Sequence, residues 1–226
     1  MITPNRTYVI IARTAATADY RLFNSKLMPQ HRDAQTTVIF GRNGTGKSTF
    51  CERIVKQLKG RCIVITYGGM PKIWRKYKRI DPAKKESWDF KTGIRQIYWA
   101  QYEEETATYL YKYFRGGTIV FDDCREYIPA RLDTIKPLKR IVSSFRHMEL
   151  DLFFVAHAPG DVPRQVWRYN STTWVGATDD LINKNDIGLG SADKIVKAQA
   201  IVNKAFREAK DKNDGSHYGI FLRVVP

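Results

Sequence analysis

Eight consecutive residues carry the plainest chemistry in this chain. Gly41-Arg42-Asn43-Gly44-Thr45-Gly46-Lys47-Ser48, followed by Thr49, keeps glycine, lysine and hydroxyl at the spacing G-x-x-x-x-G-K-[ST]. In such a loop the glycines let successive backbone N–H groups turn inward on a phosphate. A helix opening at the lysine adds partial positive charge. Lys47 then reaches the β- and γ-phosphates of ATP, and the Ser48 hydroxyl is a ligand for Mg2+. The pattern needs a strand before it and a helix after it. Residues 37–40 and 47–59 read that way.

Two further groups suit the same chemistry. The apolar run 118–121 ends in Asp122-Asp123. Asp122 is placed to hold Mg2+, directly or through water, and Asp123 to polarise an attacking water. The run 150–156 ends in His157. If its strand lies between the other two, His157 points at the γ-phosphate and can report hydrolysis to the rest of the subunit.

These side chains need a frame that brings strand ends together. Apolar runs recur at 37–40, 62–66, 118–121, 152–155 and 172–175, each continuous rather than alternating. That is the pattern of strands buried on both faces of a parallel sheet. Helices are expected at 47–59, 102–114, 136–146 and 192–210, with strands at 7–12 and 218–224. In the third helix Leu138, Ile141, Val142 and Phe145 share one face, and Pro137 suits a first turn. In the fourth, Ile195, Ala198, Gln199, Val202 and Phe206 do so. Strand–helix alternation predicts an α/β, three-layer fold in one domain. Within it, 1–35 read as an arm or added strand, 36–180 as the nucleotide-binding core and 181–226 as a closing helix and strand. Residues 68–96 read as a polar interruption outside the core.

Composition narrows the classes. The 226 residues are 43% hydrophobic, too apolar for a disordered chain. The longest clean apolar run, 152–156, is far short of a membrane span. Ala16-Thr17-Ala18 imitates a signal-peptidase site, but the apolar stretch before it is too short and reads as a strand. Cys51, Cys62 and Cys124 form no C-x-x-C pair and read as buried thiols. Lys and Arg total 38 against 23 Asp and Glu, a net charge of +15, which points to an anionic partner.

Residues 72–95 hold nine basic side chains against three acidic ones. Lys72, Arg75, Lys76, Lys78, Arg79, Lys84 and Lys85 are the candidate DNA contacts, with Lys91 and Arg95 beyond them. Trp74, Tyr77, Trp88 and Phe90 are interleaved. Cations neutralise phosphates, and exposed aromatics stack on bases or wedge between them. The alternative is a solvated loop whose aromatics pack on the core or on an adjacent subunit.

In this order, the three strand-end groups resemble the FtsK/HerA superfamily of P-loop ATPases. The stretch 153–176, FFVAHAPGDVPRQVWRYNSTTWVG, is similar to a segment of that superfamily. His157 falls at its glutamine, Pro159 at its proline and Asn170 at its asparagine before the next strand. The chain looks most like the genome-packaging ATPases of tailless, membrane-containing icosahedral viruses. The resemblance implies a RecA-like, additional-strand P-loop NTPase with a mostly parallel central sheet. It implies a Mg2+-dependent ATPase that moves double-stranded DNA into a viral capsid vertex as a homo-oligomeric ring, a hexamer. Its setting would be the virion and the host cytoplasm. Rings of this kind complete the site with an arginine from the neighbouring subunit; Arg146, Arg164 and Arg168 are the candidates.

Two positions depart from the pattern. The family's Asp-Glu pair is here Asp122-Asp123, one methylene shorter, so water must sit closer or Glu126 must help. Ala158 stands where the family often has arginine. The Arg146-His147…Leu150-Asp151 run also resembles Zot-type filamentous phage assembly ATPases, which predict a membrane span. Two other classes fit the phosphate loop: a small kinase with residues 75–85 as its lid, and a nucleotide-gated DNA-binding protein that does not hydrolyse.

Overall fold

The computed structural model describes residues 10–11, 33–67, 72–99, 103–187, 189–212 and 215–225. Among these residues nine strands form one sheet: β1 (Ile10–Ile11), β2 (Thr36–Phe40), β3 (Arg61–Thr66), β4 (Lys78–Arg79), β5 (Gly93–Tyr98), β6 (Gly117–Phe121), β7 (Leu150–Ala156), β8 (Asn170–Val175) and β9 (Phe221–Val224). Their spatial order is β1-β9-β8-β2-β7-β6-β3-β5-β4. From β8 to β4 every pairing is parallel; β9 runs antiparallel to β8, and β1 to β9.

The continuous apolar runs behave as parallel strands buried on both faces do. In β2, Val38 and Phe40 face one apolar cluster while Ile39 faces the other. Helix α1 (Lys47–Gln57) covers the second face with Phe50, Cys51, Ile54 and Val55. The other face is covered by α2 (Glu103–Tyr113), α3 (Lys136–Ser144), the short α4 (Arg164–Tyr169) and α5 (Lys184–Ile187), and α6 (Leu189–Asp211). Ile195, Ala198, Val202 and Phe206 are the buried stripe of α6, as their spacing requires. All three cysteines are free and buried. No helix among the described residues is long and apolar enough to cross a membrane.

The sequence expectation fails most clearly at 68–96. The described part of this stretch is not an excursion outside the core. It supplies β4 and the start of β5, extending the sheet beyond β3, and a 3-10 turn at Lys85–Trp88. Trp74 is fully buried, and Ile80, Trp88, Ile94 and Ile97 nearly so. Their irregular spacing among charged neighbours hides them from any period-based reading. Of the expected strand at 7–12, only Ile10–Ile11 lie among the described residues, paired with Leu222 and Phe221.

Candidate nucleotide-binding site

The carboxyl ends of β2, β7 and β6 lie side by side because β7 is inserted between the other two. Register fixes the heights: Phe40 is level with Ala156, and Phe121 with Phe154. The residues that follow, Gly41, Asp122 and His157, therefore emerge on one edge of the sheet. A cavity of about 320 Å³ opens there, lined by Asn43, Gly44, Gly46, Lys47, Ser48, Thr49, Asp122, Asp123, Val155 and His157.

The loop 41–46 turns through left-handed backbone at Gly44 (φ +79°) and Gly46 (φ +85°). Gly46 opens α1 without a side-chain cap, and the first turn of α1 carries no acid. Its first N–H groups are therefore left for an anion. The loop is clamped from β8 and from the approach to β9. Arg42 N donates to Ala177 O at 2.7 Å and Gly219 N to Thr45 O at 2.9 Å. Arg42 also pairs with Asp179 at 2.9 Å, its guanidinium 4.4 Å above the Phe206 ring. Gly176 is fixed by packing: a Cβ there would stand 2.7 Å from Phe221 and 2.9 Å from the Phe40 carbonyl.

Lys47 Nζ donates to the Arg42 carbonyl at 3.1 Å and lies 3.2 Å from His157 Nδ1. A charged Lys47 donates to Nδ1, which leaves the imidazole proton on Nε2, 3.0 Å from Asp123 Oδ1. Burial lowers the Lys47 pKa, opposed by the charges of Asp122, Asp123 and Asp161. Asp123 occupies left-handed backbone (φ 55°, ψ 51°), uncommon for a side-chain-bearing residue, and this turns it away from the β6 axis.

Asp122 is 2% exposed. Ser48 Oγ lies 3.1 Å from each of its carboxylate oxygens, and the Trp74 indole N–H donates to Oδ2 at 2.6 Å. Burial raises the Asp122 pKa; the Trp74 and Ser48 bonds act against that. Tyr127 Oη stands 3.0 Å from the Ile65 carbonyl and 3.1 Å from the Asp122 carbonyl, its one proton shared between them at the end of β6.

The residues fit ATP and Mg2+. A hydroxyl and a buried carboxylate already in contact form an all-oxygen donor set suited to a hard cation. Gly44, Gly46, Lys47 and Ser48 line the cavity together with Asp122, and a Cβ built at Gly44 would meet nothing within 4 Å.

Other expected residues lie elsewhere. Arg146 follows α3 just before the amino end of β7, and Arg168 lies in the last turn of α4 before β8; both are on the edge of the sheet away from the cavity. Arg164 opens α4, seven residues beyond His157. Glu126 is exposed in the 3-10 turn after Asp123. Among the proposed DNA contacts, Lys78 and Arg79 are exposed on the edge strand β4. Lys76 instead pairs with Glu52 of α1 at 2.6 Å, and Lys84 stands 3.9 Å from Asp81. Lys72, Arg75 and Lys85 are exposed.

The interleaved aromatics are a correction. Trp74 and Trp88 are buried, and Tyr77 and Phe90 pack against the core, so these rings are not free to stack on bases. Two contacts beside the site have no counterpart among the sequence expectations: the Trp74 bond to Asp122 and the Arg125–Asp161 pair (3.0 Å). The first joins residues 48 apart in the chain, with Trp74 set among basic neighbours, so no local sequence signal marks it.

No protein-family profile matches the chain, and no curated protein sequence does. Solved structures do. Genome packaging NTPase B204 from Sulfolobus turreted icosahedral virus 2, in complex with AMPPCP, superposes with a TM-score of 0.58 at 15% identity over 73% of this chain and 86% of that one. B204 in complex with AMP gives 0.57 at 13% identity, over 77% and 89%. B204 described as the DNA-packaging ATPase from Sulfolobus turreted icosahedral virus gives 0.57 at 14%, over 74% and 89%. With the phosphate-loop geometry and the strand inserted between β2 and β6, the likeness shows the fold: this chain has the fold of the P-loop NTPases.

Proposed function

We propose that this chain is a Mg2+-dependent ATPase that moves double-stranded DNA into a viral capsid as a homo-oligomeric ring, a hexamer. It would act at the packaging vertex of the virion and in the host cytoplasm. One observation carries the reading: β7 lies between β2 and β6, which gathers Lys47, Ser48, Asp122, Asp123 and His157 around one cavity. The likeness to a genome-packaging NTPase over most of both chains supports the motor assignment.

Each residue then has a task. Backbone N–H groups of 44–48 and Lys47 bind the phosphates of ATP, and Lys47 exchanges the Arg42 carbonyl for a phosphate oxygen. Ser48 and Asp122 hold Mg2+, which when bound neutralises charge on the β- and γ-phosphates. Asp123 accepts the proton of a water whose oxygen attacks the γ-phosphorus as the bond to ADP breaks. His157, between Lys47 and Asp123, is the group whose contacts change when the γ-phosphate leaves. An arginine of a neighbouring subunit completes the charge stabilisation. Arg164 is the first to test, since Arg146 and Arg168 lie toward the other edge of the sheet.

Lys78 and Arg79 on the exposed edge strand are the strongest DNA contacts of the basic segment. The kinase alternative is weakened by the anchoring of 75–85, because β4 is paired to β5 and Trp88 is buried close by. A lid must swing free.

The test is steady-state ATP hydrolysis with and without duplex DNA. The intact protein should turn over ATP faster with DNA, and Lys47→Ala should lose about 10²–10³-fold or more. Retained turnover in that variant refutes the site. Transfer of the phosphoryl group to a small acceptor would favour the kinase. An intact protein that binds ATP without single-turnover hydrolysis would favour the nucleotide-gated binder.

A further inference from the structure

The Asp122 carboxylate, proposed above to hold Mg2+, has a second hydrogen-bond partner besides Ser48 that the general chemistry of phosphate loops does not require. Trp74 is fully buried and gives its side chain's one hydrogen-bond donor to Asp122 Oδ2 at 2.6 Å. A carboxylate has several acceptor positions. Ser48 and Trp74 occupy two directions and fix the plane of the group, leaving the remaining lone pairs for water or metal.

Trp74 also lies near the start of the basic segment. Two residues on, Lys76 pairs with Glu52 at 2.6 Å and the Tyr77 hydroxyl donates to the same carboxylate. Glu52 is a buried residue of α1, the helix that Lys47 and Ser48 open. Gln96 Nε2 donates to the Tyr77 carbonyl at 2.8 Å, fixing the entry to β4, where Lys78 and Arg79 are exposed. The first part of the segment is thus pinned to the Asp122 carboxylate through Trp74 and to the phosphate-loop helix through Lys76 and Tyr77.

We propose that Trp74 is the positioning residue of the metal-binding carboxylate and ties the basic segment to it, so that Mg2+·nucleotide and a polyanion on Lys78 and Arg79 alter each other's binding. The second half rests on the DNA reading above; the first does not. Coupling of this kind is reciprocal, each ligand changing the other's affinity by one factor.

The experiment uses the full chain in three arms. The five tryptophans give five indole N–H signals in a proton–nitrogen NMR spectrum. The one lost in Trp74→Phe and displaced in Asp122→Asn should move when Mg2+ and a non-hydrolysable ATP analogue are added. In the second arm, Trp74→Phe should weaken apparent Mg2+ affinity about 10–100-fold while leaving metal-free nucleotide affinity near that of the parent. Trp74→His, which keeps an N–H donor, should recover part of the loss. In the third, the parent's affinity for a short DNA duplex should differ about 5–150-fold with and without Mg2+·analogue, and Trp74→Phe should bring the two values together.

An indole signal that stays still while the analogue binds overturns the positioning role. So does an equal loss of metal-free and metal-dependent affinity, which is what general loosening of the core would produce. A variant that keeps the parent's DNA linkage overturns the tie. A parent that binds no duplex in either state removes the DNA reading and the tie together, and the first two arms then decide the positioning role alone.

Discussion

At the phosphate loop the cation is inside: Lys47 is 9% exposed and bonded to the Arg42 carbonyl, with glycines and backbone N–H groups around it. Along residues 72–95 the arrangement is inverted. The rings of Trp74 and Trp88 are inside, and Lys78, Arg79 and Lys85 are at the surface. Basic residues in the first region act through exact placement, because a buried ammonium must meet one oxygen. In the second they act through number and exposure, because a polyanion presents phosphates everywhere along its length. The aromatic residues of the second region serve the fold, and only its cations are available to a partner.

The largest effect that tests this division is on stability. Trp88 is 3% exposed, donates its indole N–H to the Pro82 carbonyl at 3.0 Å and packs on Tyr113 and Phe114. Trp88→Ala should cost about 3–5 kcal/mol of unfolding free energy in a denaturant titration. An aromatic that stacks on DNA from the surface would behave the other way, with stability unchanged and DNA affinity lost. That outcome would break the comparison.

Charge removal at the edge strand should do the reverse. Lys78→Ala with Arg79→Ala should move stability by no more than about 0.5 kcal/mol for each change, since both residues are exposed. The slope of log affinity against log salt for duplex DNA should fall by about 0.9 for each lost phosphate contact. An unchanged slope assigns the polyanion contact to another surface. Lys76 is a poorer choice for this test, because its ion pair with the buried Glu52 mixes a folding effect into the measurement.

The same division explains which parts were legible in the sequence. The phosphate loop has fixed spacing and a required strand context, whereas Asp122, Asp123 and His157 stand out only as polar ends of apolar runs, and the strand order brings them beside the loop. The buried strands declare themselves by continuous β-branched and aromatic runs, as in Thr36–Phe40 and Leu150–Ala156. The long stripe of α6 is equally plain. Strand β5 (Gly93–Tyr98) is not, because Arg95 and Gln96 interrupt its apolar residues even though Gln96 is buried against β3. Trp74 is hidden for a different reason. Its partner Asp122 is 48 residues away in the chain, and a donor–acceptor pair set by tertiary packing leaves no local pattern. Composition shows the charges of this segment but leaves open whether its rings face a partner or the core, and packing places Trp74 and Trp88 in the core.

The smallest effect concerns the acid at the boundary between the two regions. Asp122 is bonded both by Ser48 of the phosphate loop and by Trp74 of the basic segment, and burial raises its pKa. A raised carboxylate pKa means that protonation on acidification begins above the ordinary aspartate range. Protonation removes the charge that a metal needs, so apparent Mg2+ affinity should weaken as pH falls into that range and recover as pH rises out of it. Near neutrality the change is slight, and it cannot exceed about tenfold per pH unit for one proton. Calorimetric Mg2+ titrations in the presence of a non-hydrolysable ATP analogue, at a series of pH values, would measure it. The analogue must be corrected for its own proton uptake. In Trp74→Phe the acid loses a bond that opposes the rise, so the weakening should begin at higher pH than in the parent. A profile that starts at the same pH in both proteins would mean that the indole orients the carboxylate without stabilising its charge. The two regions would then meet at Asp122 in geometry alone.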